Sequence, residues 1–269
     1  MSAIAVETQE RTAPIRAFRD AWAVTWRNLI GYRRVPQLLV FSTIQPVIFV
    51  LLFRYVFGGA ISTSKLPPGV EYVDFLMPGV FVQTVIFGAI ATAIGLAADV
   101  RSGLLERFRS LPMARSAVLA GRTFADLTRN VFVVVLMLVV GILVGFRIHS
   151  NVLALIAGLL LLLAFGYAMS WIFATVGLFV GDPETAQAAA FPVLAPLVFA
   201  STVFVPAISM PGWLRVFAEH QPVSITAEAV RALVLGTPAT SLVLRSLAWS
   251  IGILIVFAPL AVNRYRRAV

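Results

Sequence analysis

Side chains able to do covalent or proton chemistry are few in this chain. Its 269 residues include no cysteine, two histidines (His149 and His220) and 12 Asp or Glu. Without cysteine there is no thiolate nucleophile, no thiolate metal site and no disulfide. The histidines fall near the ends of apolar stretches or in loops and are too few for a histidine-rich metal site, so no metal ligand is named. No Gly-x-x-x-x-Gly-Lys-Ser/Thr phosphate loop is present, and the one lysine is Lys65; ATP hydrolysis by this chain is not expected. His-Glu-x-x-His and Gly-x-Ser-x-Gly are missing too, and no catalytic residue is assigned.

What the chain holds instead is uncharged polarity inside apolar stretches. Gln45 and Phe49 fall in the first stretch, Gln83 and Phe87 in the second, Phe199 and Thr202 in the fifth. A path of weakly polar and aromatic groups suits a large amphipathic substrate, and these are the candidate substrate-path residues. Each taken singly also fits helix–helix packing, where Ser, Thr and Gln bond across interfaces. Ion-coupled carriers need buried Asp, Glu or His to carry the proton or sodium, and none is expected near mid-membrane here. Arg54 and Arg245 are the charges read inside the stretches, both toward outer ends where they can snorkel.

The elements that must position these residues are membrane helices. Apolar side chains make up 60% of the chain and charged ones only 12%, against about 25% charged in soluble domains; the mean hydropathy is +0.94. Six stretches, about 37–57, 75–98, 128–146, 152–180, 187–206 and 242–263, approach the length of about 20 residues that crosses a bilayer. The fifth carries Pro192 and Pro196, expected to break it. The first exceeds a signal-peptide core and follows a polar arm, so it is not read as a cleaved signal. The expected fold class is an all-α polytopic membrane protein. Residues 1–36 form a cytoplasmic arm, 37–263 a six-span transmembrane domain and 264–269 a basic cytoplasmic tail.

The net charge of +9 does not indicate nucleic acid, because the arginines flank the spans rather than line one polar face. Fifteen of the 21 basic residues lie in the arm, around 99–129 and at the C-terminus. That bias places both termini in the cytoplasm of a multi-pass protein of the inner (plasma) membrane.

Three polar segments interrupt the spans. In the arm, Ile15, Phe18, Trp22, Trp26 and Leu29 recur at helical spacing over 15–32. A basic helix with tryptophans on its apolar side lies in the membrane interface, as an anchor or as an elbow that also meets a cytoplasmic partner. In the central loop, 99–123, Ser102 is expected to cap a short helix running to Arg109. Pro112 ends that helix after Leu111, and a second helix begins near Ala114. Leu104, Leu105, Phe108 and Leu111 give this hairpin an apolar side; Glu106, Arg107 and Arg109 charge it. It lies on anionic headgroups or docks on a partner protein. In the outer loop, 206–240, Pro211 and Pro222 suit helix starts, Ser224 a cap and Gly236 a stop, giving two short surface or re-entrant helices. Gly141/Gly145 and Gly177/Gly181 have small-xxx-small spacing for close helix packing.

The central loop carries a family resemblance. The run from Asp99 to Arg122, with Glu106-Arg107-Phe108-Arg109-Ser110-Leu111-Pro112, resembles the coupling segment of type-2 ABC transporter permeases, nearest the daunorubicin/doxorubicin-resistance drug-efflux type. Arg34-x-Pro36 with Gln45-Pro46 and Phe57-Gly58-Gly59, Tyr72-x-x-Phe75-Leu76-x-Pro78-Gly79, Met210-Pro211-x-Trp213-Leu214, Gln221-Pro222-Val223 and Arg231-Ala232-Leu233 resemble other segments of that family. The resemblance implies a half-transporter. Two permeases, identical or related, form the path, and two separate ATP-binding subunits holding ATP and magnesium dock beneath. Leu105, Glu106, Arg107, Phe108, Arg109, Leu111 and Pro112 would be the coupling element, and Phe18, Trp22 and Trp26 the interfacial elbow. The implied function is export of an amphipathic drug, lipid or glycolipid-like compound, driven by ATP. The competing reading is an ion-coupled drug antiporter working alone.

Overall fold

A computed structural model describes residues 13–34, 36–58, 66, 69–104 and 115–267. Among them every regular element is helical. We number the α-helices α1 Ala13–Arg34, α2 Pro36–Leu51, α3 Tyr72–Arg101, α4 Arg115–Leu143, α5 Val152–Val180, α6 Pro183–Phe199, α7 Gly212–His220, α8 Pro222–Leu235 and α9 Thr240–Arg267. A π-helical turn, Leu52–Phe57, extends α2, and a short 3₁₀ turn, Ala207–Ser209, precedes α7. Four helices are long and apolar enough to cross a membrane: α3, α4 from Leu119, α5, and α9 as far as Tyr265.

α3 is the hub. From Tyr72 to Ile86 every residue is buried, as expected of a helix that is apolar on all sides. α4, α5, α6 and α8 pack around it. Side chains from these walls, among them Phe81, Phe165, Phe173, Met77 and Leu162, fill one continuous core.

Contacts at the helix ends define two poles. At one, Asp74 of α3 accepts from the backbone N–H of Arg147 at 2.8 Å and lies 3.8 Å from His149. At the other, Arg101 of α3 meets Asp182 at 2.9 Å. Arg264 near the end of α9 covers the Phe179 ring at 4.7 Å at this same pole. α1 packs there too: Thr25 donates to the carbonyl of Gly121 at 3.0 Å. Thus α1, the flanks of the 105–114 segment and the end of α9 share one pole.

Several boundaries differ from the sequence reading. The third apolar helix starts earlier and ends earlier than 128–146. It stops at Leu143 because Gly145 turns the chain with φ +104°, and the earlier start takes Arg122 and Asp126 into the span, beside Arg129. The fifth helix runs through Pro192 and Pro196 and ends at Phe199; prolines are tolerated in membrane helices when neighbours satisfy the freed backbone groups. Gln221 closes the end of the helix, its amide donating to the carbonyls of Leu197 (2.9 Å) and Ala200 (3.0 Å). Ser201 then turns the chain, donating to Val198 O and accepting from Val203 N. Gly145 and Gly181 serve as turns at positive φ, so of each small-residue pair only Gly141 and Gly177 make a close approach, to Met77 and Ala93.

Two expected caps are reassigned. Ser102 has helical dihedrals and ends α3, its N–H bonded to Ala98 O, instead of opening a new helix. Ser224 lies inside α8 and accepts from Thr202 N at 3.1 Å; Gln221 holds the N-cap position with Pro222 next. The outer helices do start at Gly212 and Pro222, and α8 stops at Gly236, φ +73°. α8 is no surface lid: it is mostly buried against α3, α5 and α9. Arg231 anchors it. This side chain is only 4% exposed. It donates to the carbonyls of Phe75 (2.9 Å) and Thr202 (3.0 Å), pairs with Glu228 (2.6 Å), and stacks 3.6 Å from the Phe75 ring centre.

Arg231→Leu strips donors from two buried carbonyls, and a loss of about 2–4 kcal/mol is expected. Thermal unfolding of the purified protein checks it; an unchanged midpoint overturns the clamp. Asp182, at the N-cap of α6, accepts from Thr185 N (3.0 Å) and Thr185 Oγ1 (2.9 Å). These bonds, with Arg101 further behind, hold its carboxyl below the usual carboxylate range. A depressed folded pKa gives an anchor that is intact above the unfolded value and fades as pH falls through the lower folded one. Hydrogen-exchange protection at the first amides of α6, taken relative to the intrinsic exchange rate at each pH, should stay flat from neutral pH to about 5 and be altered by acid only below the ordinary Asp value near 4; Asp182→Asn should abolish that acid dependence.

Candidate substrate path and buried charge network

Gln45, Gln83 and Phe87 come together. They line a cavity of about 260 Å³ between α2, α3, α4 and α6, along with Arg129, Asn130 and Gln187. A neighbouring space of about 490 Å³ shares Gln45, Phe87 and Gln187 and adds Phe191 and Glu184. Gln83 lies 11 residues past the start of the 30-residue α3, a rise of roughly 16 Å, so the cavity opens well inside that membrane-length helix. Gln83 is 2% exposed, and its Oε1 has no hydrogen-bond partner.

Phe49 and Phe199 sit in an adjoining aromatic cluster, not in the polar cavity. Their ring centres lie 6.4 Å apart, and both stack on Phe204 at 5.9 Å. Phe53 lies flat on Phe204 at 4.3 Å. Thr202 is separated from these groups: buried at 3% exposure, it holds Arg231 through its carbonyl and Ser224 through its N–H. Its Oγ1 has no hydrogen-bond partner, and it lines a separate cavity with Ser224, Glu228 and Arg245, away from Gln45, Gln83 and Phe87.

The cavity floor is built by an arginine–glycine match that the sequence reading passed over. Arg129 donates to the carbonyl of Gly88, and Arg122 reaches the carbonyl of Ala91 at 3.4 Å. A Cβ on Gly88 would lie 2.4 Å from Asn130 Oδ1, and one on Gly95 would lie 1.5 Å from the Arg122 guanidinium. Both pairs are spaced by seven residues, so each recurs on one helix face. That equal spacing was the available signal.

Charge continues toward the loop pole. Arg122 stands 3.8 Å from Asp99 and 3.7 Å from Asp126, while Arg27 of α1 reaches Asp99 at 3.8 Å. Asp126, 1% exposed, accepts from Thr92 Oγ1 at 2.6 Å. The expectation of apolar helices without buried acids therefore fails at Asp126. Buried charges persist only when paired and hydrogen-bonded, and here they join α1, α3 and α4. Arg54 pairs with Glu71 at 3.8 Å, and Arg245 lines an outer cavity beside Glu228. On α1, the face bearing Ala21, Val24 and Thr25 is buried, whereas Trp22 and Trp26 are each 57% exposed. The Phe18 side chain and the coupling candidates Leu105, Glu106, Arg107, Phe108, Arg109, Leu111 and Pro112 lie outside the described residues.

A helical bundle with membrane-length apolar helices, a cavity of amide and aromatic groups and a charge-paired pole is that of a polytopic membrane protein. Residues 19–235 match the ABC-2 type transporter family, and the chain belongs to it. It is 36% identical over 257 residues to the daunorubicin resistance ABC transporter permease protein DrrB1 of Streptomyces coeruleorubidus, covering 96% of this chain and 89% of that one. It is 30% identical over 228 residues to the doxorubicin resistance ABC transporter permease protein DrrB of Mycobacterium tuberculosis, covering 78% and 76%. Membership makes this chain the permease subunit of an ABC transporter related to drug-resistance exporters. It has no ATPase activity; the nucleotide binds to a partner ABC ATPase subunit.

Gly88→Leu tests the floor of the cavity. Its side chain would displace Asn130 and Arg129, with an expected cost of about 1–3 kcal/mol from overpacking. A lower melting temperature in detergent, partly restored by Asn130→Ala, is the predicted result; wild-type stability would show that the floor yields freely.

Proposed function

We propose that this chain is the membrane subunit of an ATP-driven exporter that moves an amphipathic drug, lipid or glycolipid-like compound out of the cytoplasm or inner leaflet. The observation that carries the reading is the convergence of Gln45, Gln83 and Phe87 on one cavity beside the Phe49–Phe199 aromatic cluster. Amide groups for a polar head and rings for an apolar body lie next to each other. The relatives' names, which speak of daunorubicin and doxorubicin resistance, support a substrate of this class.

The same reading has six spans. α2 with its π turn, 16 and six residues, gives roughly 30 Å, and α6 with 17 residues gives roughly 25 Å; they join the four longer helices. The shared pole of α1, the 105–114 flanks and the end of α9 holds most of the arginines, which supports cytoplasmic termini in the plasma membrane. α1 acts as the elbow, with Trp22 and Trp26 in the interface. Two permease chains, identical or related, form the path, and two ATPase subunits engage Leu105–Pro112. Two buried acids among the described residues favour a proton-driven antiporter: Asp74, which already accepts from the backbone N–H of Arg147, and Asp126. Thr92 and Arg122 already engage it, so the exporter reading stands ahead.

Reversing two charges tests the coupling role. The Glu106→Arg/Arg107→Glu double variant should retain its co-purifying ATPase subunit and its ATP hydrolysis, while export from inverted vesicles falls at least tenfold. Normal export would sink the assignment. Export driven by a pH gradient without ATP would move the antiporter ahead.

A further inference from the structure

We propose that the cavity between α2, α3, α4 and α6 receives an uncharged head group bearing hydroxyls, and that Gln83 accepts a hydrogen bond from one of them. The proposal rests on the exporter reading and deepens it by naming the head chemistry.

The first ground is Gln83 itself. It lines the cavity, is 2% exposed, and leaves its Oε1 without a donor. Buried polar atoms are nearly always satisfied, and an unmet one calls for a partner supplied from elsewhere. A ligand O–H or N–H would meet that need.

The second ground is what surrounds it. The other polar walls are the amides of Gln45, Asn130 and Gln187, each offering both a donor and an acceptor. The one cation is Arg129, whose guanidinium donates to Gly88 O and, at 3.4 Å, to Asn130 Oδ1. An ammonium head could donate to Gln83 but would stand beside this guanidinium in a low-dielectric site, where like charges repel strongly. A sulfate or carboxylate head would be drawn to Arg129 but has no proton for Gln83 Oε1. A hydroxyl donates and accepts at once. It also satisfies Gln83 with its terminal amide turned either way. Phe87 and Ile90 continue into the adjoining space of about 490 Å³, where Ala188 and Phe191 add apolar wall and Glu184, with Gln45 and Gln187, a polar one; it is large enough for the body of a ligand on the scale of about 300–1,000 Å³ for small-molecule sites.

The test compares one tail with three heads. Radiolabelled decyl glucoside, decylammonium and decyl sulfate are titrated onto the permease–ATPase complex in nanodiscs, with lipid-only nanodiscs subtracted. Saturable glucoside binding is expected, about tenfold tighter than either charged head. Gln83→Leu should erase that preference, lowering glucoside affinity about tenfold while leaving the charged heads unchanged. Replacing an unmet buried amide with an apolar group of similar size is close to neutral for folding. Gln45→Leu, at the exposed rim, provides a second variant with a smaller expected loss. Saturable binding with equal affinity for all three heads, or unaltered by both variants, overturns the hydroxyl assignment and leaves the path in place. Absence of saturable binding by any head overturns the path reading as well.

Discussion

The lines of the bundle follow from the need to keep arginines paired inside an apolar medium. Arg122 and Arg129 project from α4 toward α3 at heptad spacing, and α3 answers with Gly95 and Gly88. The missing side chains let each guanidinium lie against the backbone of α3, where Arg129 meets a carbonyl with unused capacity. Asp99 and Asp126 complete the charge balance around Arg122. Any sliding of α4 along α3 would part these groups in a low-dielectric setting, where an unpaired charge is far costlier than a lost apolar contact. The register of the two helices is fixed by that penalty, and the cavity wall formed by Gln83, Phe87, Arg129 and Asn130 depends on it.

A second anchor works at the opposite pole. Arg231 carries α8 inward and ties it to the first turn of α3 and to the turn after α6. Gln221, just before α8, closes the end of α6. One short segment thus terminates one helix and clamps another. This explains why a stretch that reads as an outer loop is packed like core. Between the two poles the cavity opens beside the middle of α3, where Arg129 and Arg122 of α4 bond the carbonyls of Gly88 and Ala91.

Much of this was legible in the sequence because it is written in hydropathy and punctuation. Helix existence followed from apolar length, and Pro211, Pro222 and Gly236 marked the outer helices where they stand. What stayed hidden depends on partners distant in the chain. Pro192 and Pro196 suggest a break, yet the helix runs through both and ends only at Phe199, where Gln221 and Ser201 bond its last carbonyls. Asp126 falls between the expected loop and the third stretch, and Arg129 at that stretch's edge, since hydropathy windows exclude charge and cannot see that Arg122 pairs with Asp126 and that Gly88 accepts from Arg129. Of the path candidates, Gln45, Gln83 and Phe87 converge, Phe49 and Phe199 form a neighbouring cluster, and Thr202 turns out to be a backbone fixture. Residue type alone could not separate these roles, because a threonine bonding to a helix and one facing a ligand read alike.

The geometry also bears on how a motion at the loop could reach the cavity. α4 begins directly after the 105–114 segment, and its residues in order are Arg122 in the charge network, Asp126 beside it and Arg129 at the cavity floor. A helix resists bending over such a short span, so a push at its start displaces all three together. α1 is bound to the same helix through Thr25 and, by way of Asp99, through Arg27. A tilt of α4 would therefore carry the elbow with it and move Asn130 relative to Gln83. Under the exporter reading, the ATPase need not act on the binding groups directly; it needs only to move the first turn of α4, because Arg129 and Asn130 at the cavity wall ride on that same helix.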